Sequence, residues 1–215
     1  MILLVGWRGE PGTEDAIQHE KDGHTQLKFL ESLDIPFSVL SLDYSELKTQ
    51  LQSAIEVSKS LSTPYVILVR RNTFETYKSV HNMSSPVGLM SREDAISKII
   101  NLIDKDDVVV STTGKASREL CELRKNKGHN NSSDFFVIGS MGHASSISLG
   151  ISLQKPDRNI FCLDGDGSLV MHMGSLATIG KYSYNNFKHI LINNYSHDSV
   201  GGQQSSSDII DFSLL

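Results

Sequence analysis

The stretch Asn159-Ile160-Phe161-Cys162-Leu163-Asp164-Gly165-Asp166-Gly167-Ser168, followed downstream by Ile190-Leu191-Ile192-Asn193-Asn194, constrains this chain more than any other. A short apolar run bounded by turn residues reads as a buried strand, and Leu169 to Tyr182 reads as a helix. Gly165-Asp166-Gly167-Ser168 therefore closes a strand and opens a helix. Glycines allow close backbone approach, and a helix start offers unpaired N–H groups and a dipole that favours negative charge. An anion fits such a turn, and an aspartate there calls for a compensating cation. Asp166 and Asn193 each follow a predicted strand. If those strands are parallel neighbours, the two side chains meet at one sheet edge, where open α/β sheets bind ligands. Two oxygen donors completed by phosphate oxygens and water describe a Mg²⁺ site, because this small ion takes few protein ligands.

Composition narrows the remaining choices. With 215 residues, 39% hydrophobic and 21% charged, the chain has material for one large α/β domain or two small ones. A net charge of −5 without long runs of one sign leaves no electrostatic footprint for nucleic acid, so any phosphate binding is local. Cys121 and Cys162 are the only cysteines and form no Cys-x-x-Cys pair, which argues against a disulfide framework or a zinc site and for a reducing compartment. The apolar start Met1 to Gly6 is broken by Trp7-Arg8-Gly9-Glu10, too soon for a signal peptide or a membrane span, and a cytoplasmic protein is expected.

Read in order, Ile2-Leu3-Leu4-Val5 is a buried-type strand at the very start, which hints at a missing N-terminal region. Gly6 to Gly12 is a loop, His24 to Ser32 a helix, Phe37 to Leu40 a strand, Ser45 to Leu61 a helix and Tyr65 to Val69 a strand. That alternation implies a parallel sheet with right-handed crossovers. Polar, aperiodic residues over 75–90 read as a linker, and Ser91 with Asp94 three positions on starts a helix through Ile103. Four strands then end in small or polar residues: Val108-Val109-Val110 before Ser111-Thr112-Thr113-Gly114, Phe135 to Ile138 before Gly139-Ser140-Met141-Gly142, and the two strands already named. Hydroxyls, glycines and amides along one edge of a parallel sheet suit a diphosphate.

The Gly-Asp-Gly turn followed by Asn-Asn, with Asp166 and Asn193 27 positions apart, resembles the motif of thiamin diphosphate (TPP) enzymes. The region from about Ser91 onward resembles their diphosphate-binding domain. Ser111-Thr112-Thr113-Gly114 with Ser117-Arg118-Glu119-Leu120, Gly139 to Ser146, and His197-Asp198-Ser199-Val200-Gly201-Gly202-Gln203 resemble phosphonopyruvate decarboxylases more narrowly, with sulfopyruvate decarboxylases as near relatives. The resemblance implies two parallel-sheet α/β domains: residues 1–74 as the later, incomplete part of a pyrimidine-binding domain, and 91–215 as a diphosphate- and Mg²⁺-binding domain shortened at its end. It implies Mg²⁺ bound by Asp166, Asn193 and the Tyr195 carbonyl. Thr113, Gly114, Gly165, Gly167 and Ser168 would lie along the diphosphate, and Gly139, Ser140 and Met141 against the rings. There the Gly139 carbonyl would accept from the pyrimidine amine, and Met141 would prop the bent cofactor, as a side chain that fills irregular gaps can. His197 and Asp198 are candidates for proton transfer, with a solvated loop pair as the competing reading; His143 is a weaker candidate of the same kind. Arg8 offers guanidinium geometry for a phosphonate or carboxylate of a 2-oxoacid substrate, with a surface arginine as the alternative.

The same resemblance marks departures. The family places a glutamate early in its pyrimidine-binding domain to start ylid formation, and Glu10, Glu14 and Glu20 do not stand where that role is filled. The chain reads as an internal piece of a longer protein, a split subunit or a shortened gene product. Two functions remain open: non-oxidative decarboxylation of a 3-phosphono- or 3-sulfo-2-oxoacid, or a non-catalytic TPP-binding piece that pairs with a chain supplying the glutamate. Acetolactate-synthase-like carboligation is disfavoured, because no segment is present for the extra central domain of those enzymes. The family's sites form between subunits, so a homo-oligomer or a complementing subunit is expected.

Overall fold

The computed structural model describes residues 1–76 and 89–215, and the expected linker over 75–90 lies for the most part outside them. The chain divides into two compact units, Met1–Met83 and Ser84–Leu215, each an α/β unit with its own parallel sheet.

The first unit runs β1 (Ile2–Gly6), α1 (Ile17–Ser32), β2 (Phe37–Val39), α2 (Tyr44–Leu61) and β3 (Tyr65–Val69), with strand order β1-β3-β2. β3 is the central strand, and its alternation supplies both cores. Val66 and Leu68 pack with Leu27 and Leu30 of α1 and with Trp7, while Ile67 faces Leu40 and Leu47 and Ala54 of α2. The sequence pattern of β1 predicts a buried strand, but among the described residues β1 pairs only with β3 and lies at the edge, with Leu4 63% exposed. α1 starts at Ile17, seven residues before the expected His24, because Gly23 does not break it. A glycine inside a helix normally costs about 1 kcal/mol relative to alanine. Here a Cβ on Gly23 would lie 1.8 Å from the Gly9 carbonyl oxygen, so only glycine lets the helix rest on the Gly6–Gly12 loop.

The second unit contains α3 (Arg92–Leu102), β4 (Val108–Ser111), α4 (Lys115–Asn126), β5 (Asp134–Phe136), α5 (Ala144–Gln154), β6 (Ile160–Gly165), α6 (Asp166–Met171), α7 (Ser175–Tyr182) and β7 (Phe187–Ile192). A small antiparallel hairpin, β8 (Ser196–His197) with β9 (Gln203–Gln204), and two 3₁₀ turns, Ser206–Ile209 and Phe212–Leu214, follow. Ser91 caps α3 as expected, its hydroxyl accepting from the Asp94 N–H at 3.1 Å. The parallel sheet has the order β5-β4-β6-β7. One face packs Val109 and Leu163 on Ile96 and Ile100 of α3 and Leu120 of α4, and the other packs Val108, Val110, Ile160 and Cys162 on Ala144 of α5. The expected single helix from Leu169 to Tyr182 is two, separated at His172-Met173-Gly174. Gly174 weakens the helix there, and the break brings His172 against Gly142, where a Cβ would meet the His172 Cβ at 2.9 Å. Strand order reverses between β4 and β6, which places the ligand crevice of such sheets at the carboxyl ends of those two strands. Among the described residues, no helix is long and apolar enough to cross a membrane.

Candidate active site

The crevice at that edge is lined by Thr112, Met141, Asp166, Gly167, Asn194 and His197, among others. β6 delivers Asp166 and β7 delivers Asn193. The register pairs Gly165 with Ile192, so both residues leave the sheet side by side. Asp166 is 2% exposed and opens α6. Its Oδ2 accepts from the hydroxyls of Ser205 and Ser207, the latter at 2.7 Å, while no donor among the described residues meets Oδ1. The Tyr195 N–H donates to Asn193 Oδ1 at 3.1 Å, an Asx turn that settles which end of the amide faces inward. The same Asn193 oxygen lies 3.1 Å from Ser207 Oγ, and the Tyr195 carbonyl accepts from the Ser205 N–H at 3.0 Å. Tyr195 is left-handed, with φ 58°.

Counting protons shows what this cluster lacks. Ser205 Oγ and Ser207 Oγ are 2.6 Å apart, and together they touch Asp166 Oδ2 twice and Asn193 Oδ1 once. Two hydroxyls carry two protons. Four oxygen–oxygen contacts cannot all be hydrogen bonds on two protons, so a buried carboxylate and an amide oxygen meet the two hydroxyls with too few protons between them, and the Tyr195 carbonyl is tied to the same segment through the Ser205 N–H. Carboxylate, amide and carbonyl oxygens are a hard donor set, and they fit Mg²⁺.

Ser168 turns its hydroxyl inward, accepting from Thr112 Oγ1 at 2.9 Å and from the Gly142 N–H at 3.0 Å, so it ties together the loops after β4, β5 and β6. Thr113 donates its hydroxyl to the Ile138 carbonyl. Gly114, at φ 101°, would press a Cβ to 3.2 Å from the Ser199 side chain, and Gly167 would press one to 2.6 Å from the His197 ring and 3.4 Å from Met141 Cε. Gly167, Met141 and His197 thus meet at one point. Gly139 and Ser140 are exposed in the loop before α5, Ser140 left-handed at φ 49°, and the His143 ring packs tilted by 56° against His172 with centroids 4.6 Å apart. Asp198 lines the same crevice with its carboxylate already paired: it meets Arg92 and Lys115, each at 3.0 Å, and Arg92 also forms a fork with Glu119. The hydrogen bonds from Arg92 and then Lys115 hold the Asp198 carboxyl below the usual carboxylate range. Beneath the turn, Asp164 accepts from its neighbouring Gly165 N–H at 3.0 Å and meets His189 Nε2 at 3.3 Å. Burial first, and the Asp164 charge second, push the Cys162 thiol up to about 12, so it stays protonated and inert.

Residues 112–210 match the family of thiamine pyrophosphate enzymes, C-terminal TPP-binding domain. The chain is similar to the phosphonopyruvate decarboxylase of Streptomyces viridochromogenes, 31% identical over 98% of this chain and 55% of that protein. The protein of the same name from Streptomyces hygroscopicus is 30% identical over 98% of this chain and 54% of its own length. A sulfopyruvate decarboxylase subunit beta from Methanothermobacter thermautotrophicus is 37% identical over 59% of this chain and 65% of that protein. Residues 112–210 thus carry the C-terminal TPP-binding domain of thiamine pyrophosphate enzymes. The chain spans about half the length of the two Streptomyces relatives.

Arg8 belongs to the first unit, at the rim of a cleft of about 620 Å³ that Arg70 and Arg71 also line. Its fork is filled by Asp15, with Nε at 2.8 Å and Nη2 at 2.6 Å. Arg92 and Lys115 complete the second unit's crevice, and Ser205 and Ser207 brace Asp166, without having stood out in the sequence. Ser205-Ser206-Ser207 offers a run of hydroxyls as its only signal, and Arg92 is separated from Asp198 by 106 positions.

Proposed function

We propose that this chain is a TPP- and Mg²⁺-dependent decarboxylase that converts 3-phosphonopyruvate to phosphonoacetaldehyde and CO₂, a step of phosphonate biosynthesis, in the cytoplasm. The proton-poor oxygen cluster of Asp166 and Asn193, tied through Ser205 to the Tyr195 carbonyl, is the observation that carries this reading, since a hard divalent cation would fit there. Similarity to the phosphonopyruvate decarboxylases runs along 98% of the chain, against 59% for the sulfopyruvate decarboxylase beta subunit, which favours the phosphono-substrate.

Asp166, Asn193 and the Tyr195 carbonyl would hold Mg²⁺. Gly165, Gly167, Ser168, Thr113 and Gly114 would face the diphosphate through backbone N–H groups, the Thr113 hydroxyl being already donated to Ile138, while Ser168 accepts two hydrogen bonds and keeps its own O–H to donate. Gly139 would offer its carbonyl to the pyrimidine amine, with Ser140 beside it and Met141 between the rings. TPP, when bound, supplies the electron sink for the charge left as CO₂ departs. His197, packed on Gly167, is placed to hold and return a proton. Asp198 is the anchor of its loop, occupied by two cations. Arg8 would take the substrate's phosphonate by exchanging Asp15 for it. Residues 1–74 fill the role of a pyrimidine-binding domain's later part, and the chain works as a homo-oligomer. A second reading, a subunit that needs a partner carrying the catalytic glutamate, draws on the relatives named subunit beta.

Calorimetric titration with TPP, with and without Mg²⁺, tests the site. Binding should require Mg²⁺ in wild type and be lost in Asp166→Ala, with Asn193→Ala weaker than wild type but measurable. TPP binding that ignores Mg²⁺ would defeat the assignment. CO₂ release from phosphonopyruvate, sulfopyruvate and pyruvate then separates the substrates, and activity that appears only on mixing with a second chain favours the subunit reading.

A further inference from the structure

We propose that Ser205 and Ser207 are positioning residues that aim the Asp166 carboxylate, holding Oδ2 so that Oδ1 is presented to the metal. The inference rests on the Mg²⁺ reading above and adds two residues to it. A carboxylate with two equivalent oxygens on a freely rotating terminal bond can point either at a ligand. Asp166 has lost that freedom: both serine hydroxyls converge on Oδ2, and Oδ1 is left without a protein donor among the described residues.

Both serines are built into the interior, 2% and 1% exposed, beside an Asp166 that is itself 2% exposed. Burying an ionised carboxylate costs several kcal/mol unless hydrogen bonds or an opposite charge offset it. No lysine or arginine pairs with Asp166 among the described residues, so the two hydroxyls are its compensation within the protein. Neutral donors support a carboxylate without neutralising it, and the remaining charge stays available to a cation. A lysine in the same place would have neutralised it.

The backbone ties the serines to the other two proposed ligands. The Ser205 N–H donates to the Tyr195 carbonyl and Ser207 Oγ lies against Asn193 Oδ1, so one short segment touches all three donor groups. The segment fixes the spacing of groups that arrive from two different strands. Groups of this kind around a metal typically change its affinity by about 10- to 100-fold when removed.

The test compares Ser207→Thr with Ser207→Val, which have the same shape and differ in the hydroxyl, together with Ser205→Ala, in the full 215-residue chain. TPP is titrated calorimetrically at a series of Mg²⁺ concentrations, and Mn²⁺ in place of Mg²⁺ gives a second readout by electron paramagnetic resonance. The half-saturating metal concentration should rise about 10-fold or more in Ser207→Val and Ser205→Ala and stay within about threefold of wild type in Ser207→Thr. Equal behaviour of Thr and Val at 207, or tighter metal binding in Ser205→Ala, would overturn the positioning role while wild type and Asp166→Ala still differ. A wild type whose TPP binding is indifferent to the metal would overturn this inference and the metal site together. Thermal melts of each variant show which values come from folded protein, and Ser205→Ala, the smallest change, decides if the bulkier pair at 207 does not fold.

Discussion

At Gly167 a single hydrogen decides how close the His197 ring can come to the turn. The backbone there is helical and has no need of glycine for its own sake, so alanine by propensity alone would stabilise α6 by up to about 1 kcal/mol. A Cβ would stand 2.6 Å from two atoms of the imidazole, however, and overpacking of that kind costs about 1–3 kcal/mol. The two effects predict a change of sign. Gly167→Ala should destabilise the wild-type protein and be neutral or stabilising when His197 is also alanine, measured by urea denaturation as a double-mutant cycle. Costs that simply add would show that His197 yields freely and that the contact positions nothing. Gly142 is a different case: its φ of 92° already excludes most side chains, so its replacement is costly whatever His172 does.

The hairpin β8–β9, two residues to a strand, is too short to stand on its own and is held by its neighbours. Asp198 clamps it to the starts of α3 and α4 through Arg92 and Lys115. Because the folded pKa of Asp198 is lowered, the clamp contributes stability above the unfolded value of about 3.9 and loses it as pH falls through the folded value. The carboxylate is 39% exposed, so the contribution is small, about 0.2–1 kcal/mol. Wild type should exceed Asp198→Asn in urea stability by that margin at pH 7 and converge on it as the pH falls through the folded value; a gap that persists in acid would mean the clamp is not electrostatic. Contacts like this mark where sequence reading stops. The Asp166 and Asn193 pair is legible because each follows its own apolar run, and periodicity reports strand ends directly. Ser91 is legible because its partner is three residues away. Ser205 and Ser207 reach Asp166 across 39 and 41 positions, and Gly23 resembles a helix stop until the Gly9 carbonyl is found against it. Edge and centre are also invisible along a strand: Ile2-Leu3-Leu4-Val5 and Tyr65-Val66-Ile67-Leu68-Val69 read alike, and only pairing separates β1 from β3.

At the scale of the whole molecule, the two units carry separate cores, and the oxygen cluster draws every contact described for it from the second. Asp166, Asn193, Tyr195, Ser205 and Ser207 lie after β6 and β7, and Ser168 is joined to Thr112 and Gly142 within the same unit. A four-stranded parallel sheet covered on both faces by α3, α4 and α5 meets the usual requirement that parallel strands be buried on both sides. Residues 84–215 alone should therefore melt cooperatively and bind TPP with Mg²⁺ within about tenfold of the full chain, a difference of about 1.4 kcal/mol. Under the substrate role proposed for Arg8 in the first unit, removal of that unit should abolish turnover while leaving this binding in place. Calorimetry on the shortened chain decides the matter: a cooperative melt with no Mg²⁺-dependent binding, beside a full chain that binds, would mean that part of the diphosphate site is contributed by residues 1–83.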